Sequence, residues 1–374
     1  MSYIKRRALA LVGLLLMLAV LLLGCAQSAV IGGGSAAVIY NGILYVGSEK
    51  GDLMAINSET GVRSWTVAVL QSAPRNALGC TATARAAAIY GTPAVAGDMV
   101  YVGGYDGRLR IYSNGLEKAR YPAEETASVG NIVGGPVLGR GNVYFGTSKG
   151  EVFALDAVSL AKKWQFSADG KVWASPVLVD DTIYISSMDD YLYALNADTG
   201  AEIWHFAAGG AINSPPVIAA GTAYFGAFDR YFYAVNTSTG QLAWRSQAQA
   251  KRWFWAKPLV VGNAVFAGDM DGMVYVFDVA TGAVLANSNL GAPLVAAPVL
   301  SGDSVIFASQ TGQLWALDTA RYQPSEFGAS ITGKVNAPLA LSNDVIYIHS
   351  QNPETLYAVR ASTGVSILSI PLGK

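Results

Sequence analysis

The stretch from Tyr191 to Trp204, YLYALNADTGAEIW, carries the pattern that decides the fold. Bulky side chains alternate from Tyr191 to Leu195, in the two-residue period of a strand. Residues 196–200 are turn formers, and Gly200 supplies the residue that tolerates a positive φ. Trp204 then lies on the returning strand. The stretch therefore predicts a β-hairpin whose indole can pack against a neighbouring unit.

This hairpin recurs along the chain. In its full form an Asn or Asp is followed eight positions later by a tryptophan, and these tryptophans are Trp65, Trp164, Trp204 and Trp244. Later copies keep the strands but carry Ala286, Glu326 or Leu368 at that position. Because other side chains take this position in the later copies, we interpret the four tryptophans as structural residues that pack one repeat against the next.

A proline followed by an apolar residue marks the first strand of each repeat. These prolines are Pro93, Pro136, Pro176, Pro216, Pro258, Pro298 and Pro338, and they lie 40 to 43 residues apart. That period is typical of a four-stranded propeller blade. With residues 36–39 as a first copy lacking its proline, the sequence predicts an all-β, eight-bladed β-propeller over residues 36–374. One repeat is expected to consist of strands 176–179, 182–186, 191–196 and 202–206.

The amino-acid composition agrees with an all-β fold and argues against nucleic-acid binding. The 374 residues include 41 glycines, 10% aromatic and 14% charged residues, as expected for many short strands joined by turns. A net charge of −1 gives no basic surface of the kind that binds nucleic acid. We expect a monomeric propeller.

The N-terminus has the pattern of a signal peptide. Three cations at residues 5–7 precede an uncharged apolar run, residues 8–23. Residues 22–25, Leu-Leu-Gly-Cys, resemble the lipobox of bacterial lipoproteins, in which the peptide is cleaved before the cysteine and the cysteine is lipidated. This resemblance implies a signal peptide over 1–24, a lipidated Cys25 and a tether over 25–35; an uncleaved membrane anchor is the alternative. The body is then extracytoplasmic, in the outer membrane or, in a host without one, on the outer face of the cytoplasmic membrane.

The remaining cysteine, Cys80, lies in a long alanine-rich link over residues 66–90. If Cys25 carries lipid, Cys80 has no partner for an internal disulfide. We interpret it as an incidental free thiol.

The repeats resemble the PQQ-repeat β-propeller family from residue 36 to residue 372, and the lipobox with eight short units is most similar to BamB-type lipoproteins of outer-membrane β-barrel assembly. The resemblance implies a non-catalytic scaffold that is tethered to the membrane and binds an envelope protein, such as a β-barrel assembly machinery. It also implies partner contacts on the loops that join one blade to the next, marked by Asp-x-Asp and Leu-x-Leu-Arg segments. Neither signature is present in the comparable loops, residues 169–174 and 251–257.

Those two loops nevertheless contain the best binding candidates. In the second loop three consecutive aromatics are flanked by cations on a segment expected to be exposed, a composition typical of protein contacts. The predicted partner-binding residues are Lys171, Trp173, Lys251, Arg252, Trp253, Phe254 and Trp255. Trp255 and Trp173 share the same offset before a proline, so strand packing is the alternative for these rings. A propeller that binds a small molecule or a glycan at its channel mouth is the alternative function.

The residues give less support to an enzymatic function. Quinone-dependent dehydrogenases share the repeats, but they place adjacent cysteines against the cofactor, and this chain has no such pair. We therefore expect no cofactor and no PQQ. Asp269 and the similar turns around Asp106, Asp189 and Asp229 resemble the start of a calcium loop, but hairpin chemistry accounts for them, and we expect no metal. His205 and His349 fit outer-strand and core positions.

Overall fold

The computed structural model describes residues 35–69, 88–124, 126–328 and 330–373, which belong to one compact unit, residues 33–374. These residues form eight antiparallel sheets, each built from strands that follow one another in the chain. Blades 1 to 4 consist of β1 (Val38–Tyr40), β2 (Ile43–Gly47), β3 (Asp52–Asn57), β4 (Arg63–Ala68); β5 (Ala94–Ala96), β6 (Met99–Gly103), β7 (Leu109–Ser113), β8 (Leu116–Tyr121); β9 (Val137–Gly139), β10 (Asn142–Gly146), β11 (Glu151–Asp156), β12 (Lys162–Ser167); and β13 (Val177–Val179), β14 (Thr182–Ser186), β15 (Tyr191–Asn196), β16 (Glu202–Ala207).

Blades 5 to 8 continue the same order. They consist of β17 (Val217–Ala219), β18 (Thr222–Gly226), β19 (Phe232–Asn236), β20 (Leu242–Arg245); β21 (Leu259–Val261), β22 (Ala264–Gly268), β23 (Met273–Asp278), β24 (Val284–Asn289); β25 (Val299–Ser301), β26 (Ser304–Ala308), β27 (Leu314–Asp318), β28 (Pro324–Glu326); and β30 (Ala340–Ser342), β31 (Val345–Gln351), β32 (Thr355–Arg360), β33 (Ser366–Pro371). Blade 8 gains a fifth strand, β29 (Lys334–Val335), which pairs with β31. The predicted eight-bladed β-propeller is confirmed.

The repeat predicted over residues 176–206 corresponds to blade 4. Its inner strand begins at Val177 and not at Pro176, because proline has no N–H to donate to the ladder. The other three strands match the expected ranges to within one residue at an end. A register shift after Ala194 on β15 places Trp204 opposite Ala194 on the same hairpin.

Asn196 explains why the hairpin motif has its residues in that order. Its side-chain Oδ1 accepts hydrogen bonds from the N–H groups of Asp198 (3.1 Å) and Thr199 (2.9 Å) and from the Thr199 hydroxyl (3.0 Å). This Asx-type turn adds to the backbone bonds at the chain reversal, Asn196 N–H to Ala201 O and Gly200 N–H to Asn196 O, each at 2.8 Å. Gly200 then takes a φ of +72°, and a Cβ there would lie 2.6 Å from the Trp164 ring. The Thr-Gly pair therefore serves both the turn and the packing of the preceding blade.

The hydrophobic core lies between blades. Each of the eight apolar clusters in the described residues combines side chains from two neighbouring sheets. Three tryptophans of the motif also bond across a blade junction: the indole N–H groups of Trp164, Trp204 and Trp244 donate to the carbonyl oxygens of Ala197 (2.9 Å), Thr237 (2.8 Å) and Val279 (2.9 Å). Trp65 packs beside Gly115 of blade 2.

Blade 8 meets blade 1 through a buried polar cluster. The Nδ1 atom of His349 lies 2.7 Å from the Ser35 carbonyl, and its Nε2 lies 3.3 Å from Oε1 of Glu354. The same Glu354 oxygen accepts the backbone N–H of Glu49 at 2.7 Å. Residues 314 positions apart in the chain are thereby joined, which closes the ring of blades.

Several predicted features lie outside the described residues. These are the signal peptide over 1–24, Cys25 with most of its tether, and Cys80. The long link expected over 66–90 begins later than predicted, since Thr66 belongs to β4, and residues 70–87 of it are not described. Within the described ranges, no helix is long and apolar enough to cross a membrane.

Candidate functional site

The predicted binding residues lie on one face of the propeller, which we call the loop face. It carries the loops between blades and the turns between the second and third strands of each blade. The loops at 168–176, 208–216 and 246–258 lead into blades 4, 5 and 6. Each is held by a backbone bond from the turn of the next blade: Met188 N–H to Lys171 O (2.9 Å), Phe228 N–H to Ala211 O (2.9 Å) and Met270 N–H to Trp253 O (3.1 Å). The scaffold thus fixes where these loop residues lie.

An aromatic and cationic group, the blade 5/6 cluster, forms where the 246–258 loop leaves blade 5. Phe228 packs against two tryptophans. Its ring centroid lies 5.8 Å from that of Trp253 and 5.9 Å from that of Trp255. The guanidinium of Arg252 lies over the Trp253 ring, 5.8 Å from its centroid. All three rings are half-buried and Arg252 is exposed. The cluster therefore presents a partly exposed apolar platform with a cation at its edge.

Phe254 is a correction to the sequence prediction. It was expected to contact a partner, but only 2% of its surface is exposed, and its ring packs against Phe232 at 5.4 Å and Tyr275 at 5.9 Å. A Cβ on Gly226 would lie 2.2 Å from the Phe254 Cβ, so the site is closely packed. Burial removes Phe254 from the contact surface, although its neighbours Trp253 and Trp255 remain on it.

The sequence does contain a signal for this burial. An apolar residue occurs four positions before the proline of each loop leading into blades 2 to 7, and these residues are Ile89, Ile132, Val172, Ile212, Phe254 and Leu294. All six are buried in the structure. Alignment on the prolines would therefore have placed Phe254 in the core. Phe228 was missed for another reason: it belongs to a turn distant in sequence, and only the propeller geometry brings it between the two tryptophans.

Lys171 and Trp173 form a second group at the entry to blade 4. The Lys171 ammonium lies over the Trp173 ring, 4.9 Å from its centroid. The 208–216 loop separates this pair from the blade 5/6 cluster, and it contributes Asn213 and Ser214 to the same face. The structure therefore distributes the predicted residues over two groups and not over one continuous patch.

Hydrogen bonding distinguishes Trp173 and Trp253 of the loop face from the docking residues Trp164, Trp204 and Trp244. In the described residues, six buried side-chain polar atoms have no hydrogen-bond partner: Arg108 Nε, Trp173 Nε1, Asn213 Oδ1, Ser214 Oγ, Trp253 Nε1 and Trp315 Nε1. Leaving one such group unpaired costs about 1–3 kcal/mol. Four of the six lie on the three loops described above, which is the concentration expected of a binding surface.

Three aspartates on this face are held by hydrogen bonds within the fold, whereas Asp169 and Asp271 are exposed. Asp269 is fully buried and accepts the backbone N–H groups of Asp271 and Met273, each at 2.9 Å. Asp189 accepts the Tyr191 N–H at 3.1 Å and the Tyr193 hydroxyl at 3.0 Å. Asp229 holds Tyr233 in the same way, and burial followed by this hydrogen bond raises the pKa of Tyr233 to about 12. These aspartates therefore stabilise turns.

The cations, by contrast, are free. No described carboxylate lies within ion-pair distance of Lys171, Arg252 or Lys257. Lys251 has only a 3.9 Å contact with Asp271. Lys257 precedes the inner strand β21, and although its side chain is accessible to solvent, desolvation by the surrounding protein lowers its pKa. The side chains left available on the three loops are thus mainly aromatic and cationic, with the exposed carboxylate of Asp169 beside Lys171.

The expectation of no quinone cofactor and no metal stays a prediction. The chain's two cysteines, at 25 and 80, are not adjacent in sequence. Within the described ranges there is no group of three or more His, Cys, Asp or Glu side chains that could hold a metal ion. His205 is exposed and lies 2.7 Å from Glu202, while His349 is buried at the ring closure.

A cavity of about 520 Å³ lies on the opposite face, between blades 8 and 1. Its lining includes Asn41, Ser58, Asn343 and Tyr347. Leu368 occupies the position of the docking tryptophan in blade 8, so this junction lacks the indole that seals three others.

Comparison with known proteins agrees with this architecture. A solved structure of BamB from Moraxella catarrhalis superposes with a TM-score of 0.68, at 18% identity, covering 84% of this chain and 92% of that one. The computationally designed Ika8 protein superposes with a TM-score of 0.71, at 16% identity, covering 88% and 97%. At these identities the likeness concerns the fold alone.

Sequence comparison identifies the family. A relative described as outer membrane protein assembly factor BamB, from Kangiella koreensis, is 30% identical over 132 residues, which are 35% of this chain and 31% of that protein. The matched part thus spans about a third of the relative's length. The family model described as outer membrane protein assembly factor BamB matches residues 23–166 and 161–368, nearly the whole propeller. The chain therefore belongs to the BamB family of PQQ-repeat β-propellers.

Proposed function

We propose that this protein is a non-catalytic scaffold of the bacterial cell envelope that binds a component of outer-membrane β-barrel assembly through its loop face. The family match over two long segments is the observation that carries this proposal. The loop face supports it, because half-buried tryptophans beside unpaired cations are typical of protein contact sites.

Lipid anchoring at Cys25 is part of the proposal. The Ser35 hydroxyl accepts the N–H of Gly47 at 3.1 Å, next to the first turn of the loop face. Ser35 lies ten positions after Cys25, and an extended chain of that length spans at most about 35 Å. A lipid on Cys25 would hold Ser35 within that distance of the membrane, where a partner embedded in the outer membrane is accessible.

Cross-linking of the full-length chain in cells tests the proposal. The protein is captured from membranes of its own host after treatment with an amine-reactive cross-linker, and the attached proteins are identified by mass spectrometry. A β-barrel insertase or one of its accessory proteins is expected. Capture confined to proteins unrelated to barrel assembly would refute the assembly role, and a Cys25→Ser variant that still fractionates with membranes would refute the lipid anchor.

A further inference from the structure

Unsatisfied polar groups are concentrated on three consecutive loops of the loop face. The indole N–H groups of Trp173 and Trp253 are donors without an acceptor, and Asn213 Oδ1 is an acceptor without a donor. Ser214 is only 1% exposed, and its hydroxyl is also unpaired. Because native proteins pair nearly all buried polar groups, such a grouping of donors and acceptors indicates a surface completed by a ligand.

A cation lies over each unpaired indole. Lys171 is 4.9 Å from the Trp173 ring centroid, and Arg252 is 5.8 Å from that of Trp253. Both cations are exposed and neither forms an ion pair with a described carboxylate. A ligand carboxylate that paired with these cations would lie beside the indole rings, close to their unpaired N–H groups. The ligand is therefore expected to bring negative charge and carbonyl acceptors together.

We propose that the 168–176, 208–216 and 246–258 loops bind an acidic peptide segment in an extended conformation. An extended backbone presents carbonyl oxygens for Trp173 and Trp253 and N–H groups for Asn213. Acidic side chains of the segment pair with Lys171 and Arg252, and its apolar side chains lie on the Phe228, Trp253 and Trp255 rings. This inference rests on the proposed function, because it names the kind of partner segment that the scaffold would hold.

Binding of a labelled synthetic peptide to the purified full-length chain tests the inference. The probe alternates glutamate with valine, and the control peptide has lysine in place of glutamate; fluorescence anisotropy reports binding. We expect the acidic peptide to bind and the basic one not to bind. Lys171→Gln and Arg252→Gln should each weaken the acidic peptide about five-fold, as expected for loss of one ion pair at a partly exposed site.

Two further variants give the test its specificity. Trp253→Phe retains a ring but removes the indole donor, and it should weaken binding about five-fold. Lys118→Gln removes an exposed cation on the outer strand β8 and should leave affinity unchanged. Equal binding of acidic and basic peptides, or no loss in the Lys171, Arg252 and Trp253 variants, would overturn the inference. Binding to vesicles of phosphatidylglycerol and phosphatidylcholine with no binding of the peptide would also overturn it, in favour of a lipid surface.

The outcome is independent of the cross-linking result. Cross-links to barrel-assembly proteins without peptide binding would leave the proposed function standing and refute only the acidic-peptide inference. Peptide binding together with capture of unrelated proteins would support the acidic-peptide inference and refute the assembly role.

Discussion

Trp204 and Trp253 have different roles in this protein, and the bonding of their indole N–H groups differs accordingly. Trp204 donates to a carbonyl of the next blade at 2.8 Å, whereas Trp253 has no partner for its buried N–H. The residue type alone does not predict the role. Position within the repeat does: Trp204 follows the Asn-containing turn, and Trp253 lies in the loop before a proline.

Phenylalanine substitutions should expose this difference. In Trp204→Phe the Thr237 carbonyl loses its donor, and we expect unfolding stability to fall by about 1 kcal/mol beyond the change in packing. Trp253→Phe breaks no hydrogen bond and should lose much less. Urea unfolding of both variants measures the two values. Equal losses would contradict the division into docking and contact residues.

Glu49 gives a pH dependence at the ring closure. Burial, and then the charge of Glu354, raise the pKa of Glu49, while His349 acts in the opposite direction. The unfolded chain therefore releases this proton at a lower pH than the folded chain, so folding stability falls as pH rises from the ordinary glutamate value of 4.5 through the raised one.

Glu49→Gln should consequently stabilise the protein at pH 7 and have little effect at pH 4. Thermal unfolding at both pH values provides the measurement, with Glu59→Gln, an exposed glutamate of the same blade, as control. A Glu49→Gln variant that is less stable at pH 7, or shifted equally at both pH values, would be inconsistent with the raised pKa.

At the scale of the element, the hairpin turn couples local conformation to packing between blades. Gly240 has a φ of +69°, and a Cβ there would lie 2.8 Å from the Trp204 ring. Gly221 has a similar φ of +74°, but its nearest neighbour would be Thr237 Oγ1 at 3.9 Å. The two glycines thus differ in packing and not in backbone conformation.

Alanine substitutions at these positions separate the two effects. Gly221→Ala should cost about 1 kcal/mol through the positive φ. Gly240→Ala should cost about 2 kcal/mol more, because the added methyl group displaces the indole of the preceding blade. Chemical denaturation compares them directly. If Gly240→Ala were no worse than Gly221→Ala, the tight contact between turn and indole would not matter for stability.

Strands and turns were predictable from the sequence because their causes are local. Alternating side chains, the turn at Asn196 and the proline before each inner strand fixed blade 4 almost residue by residue. The site was less predictable because its contacts join different blades. Phe254 was mistaken for a surface residue since three consecutive aromatics resemble an exposed patch, and the contact between Phe228 and its two tryptophans has no local sequence signal.

At the scale of the whole molecule, the closed ring of blades gives the chain two different faces. Hydrogen bonds around His349 join the first and last blades, and the core between blades leaves the loops on one side free for contact. The loop face carries the unpaired cations and indoles, while the opposite face carries Asx-type turns such as the one at Asn196. The proposed partner contact therefore concerns one face only.

Site-specific photo-cross-linking in the native host tests this central claim most directly. A photoreactive residue replaces either Arg252 on the loop face or Val158, which is 86% exposed on the opposite face. We predict that the probe at 252 captures a protein of the outer-membrane β-barrel assembly machinery and that the probe at 158 does not. Capture of that machinery from position 158, with none from position 252, would contradict the account.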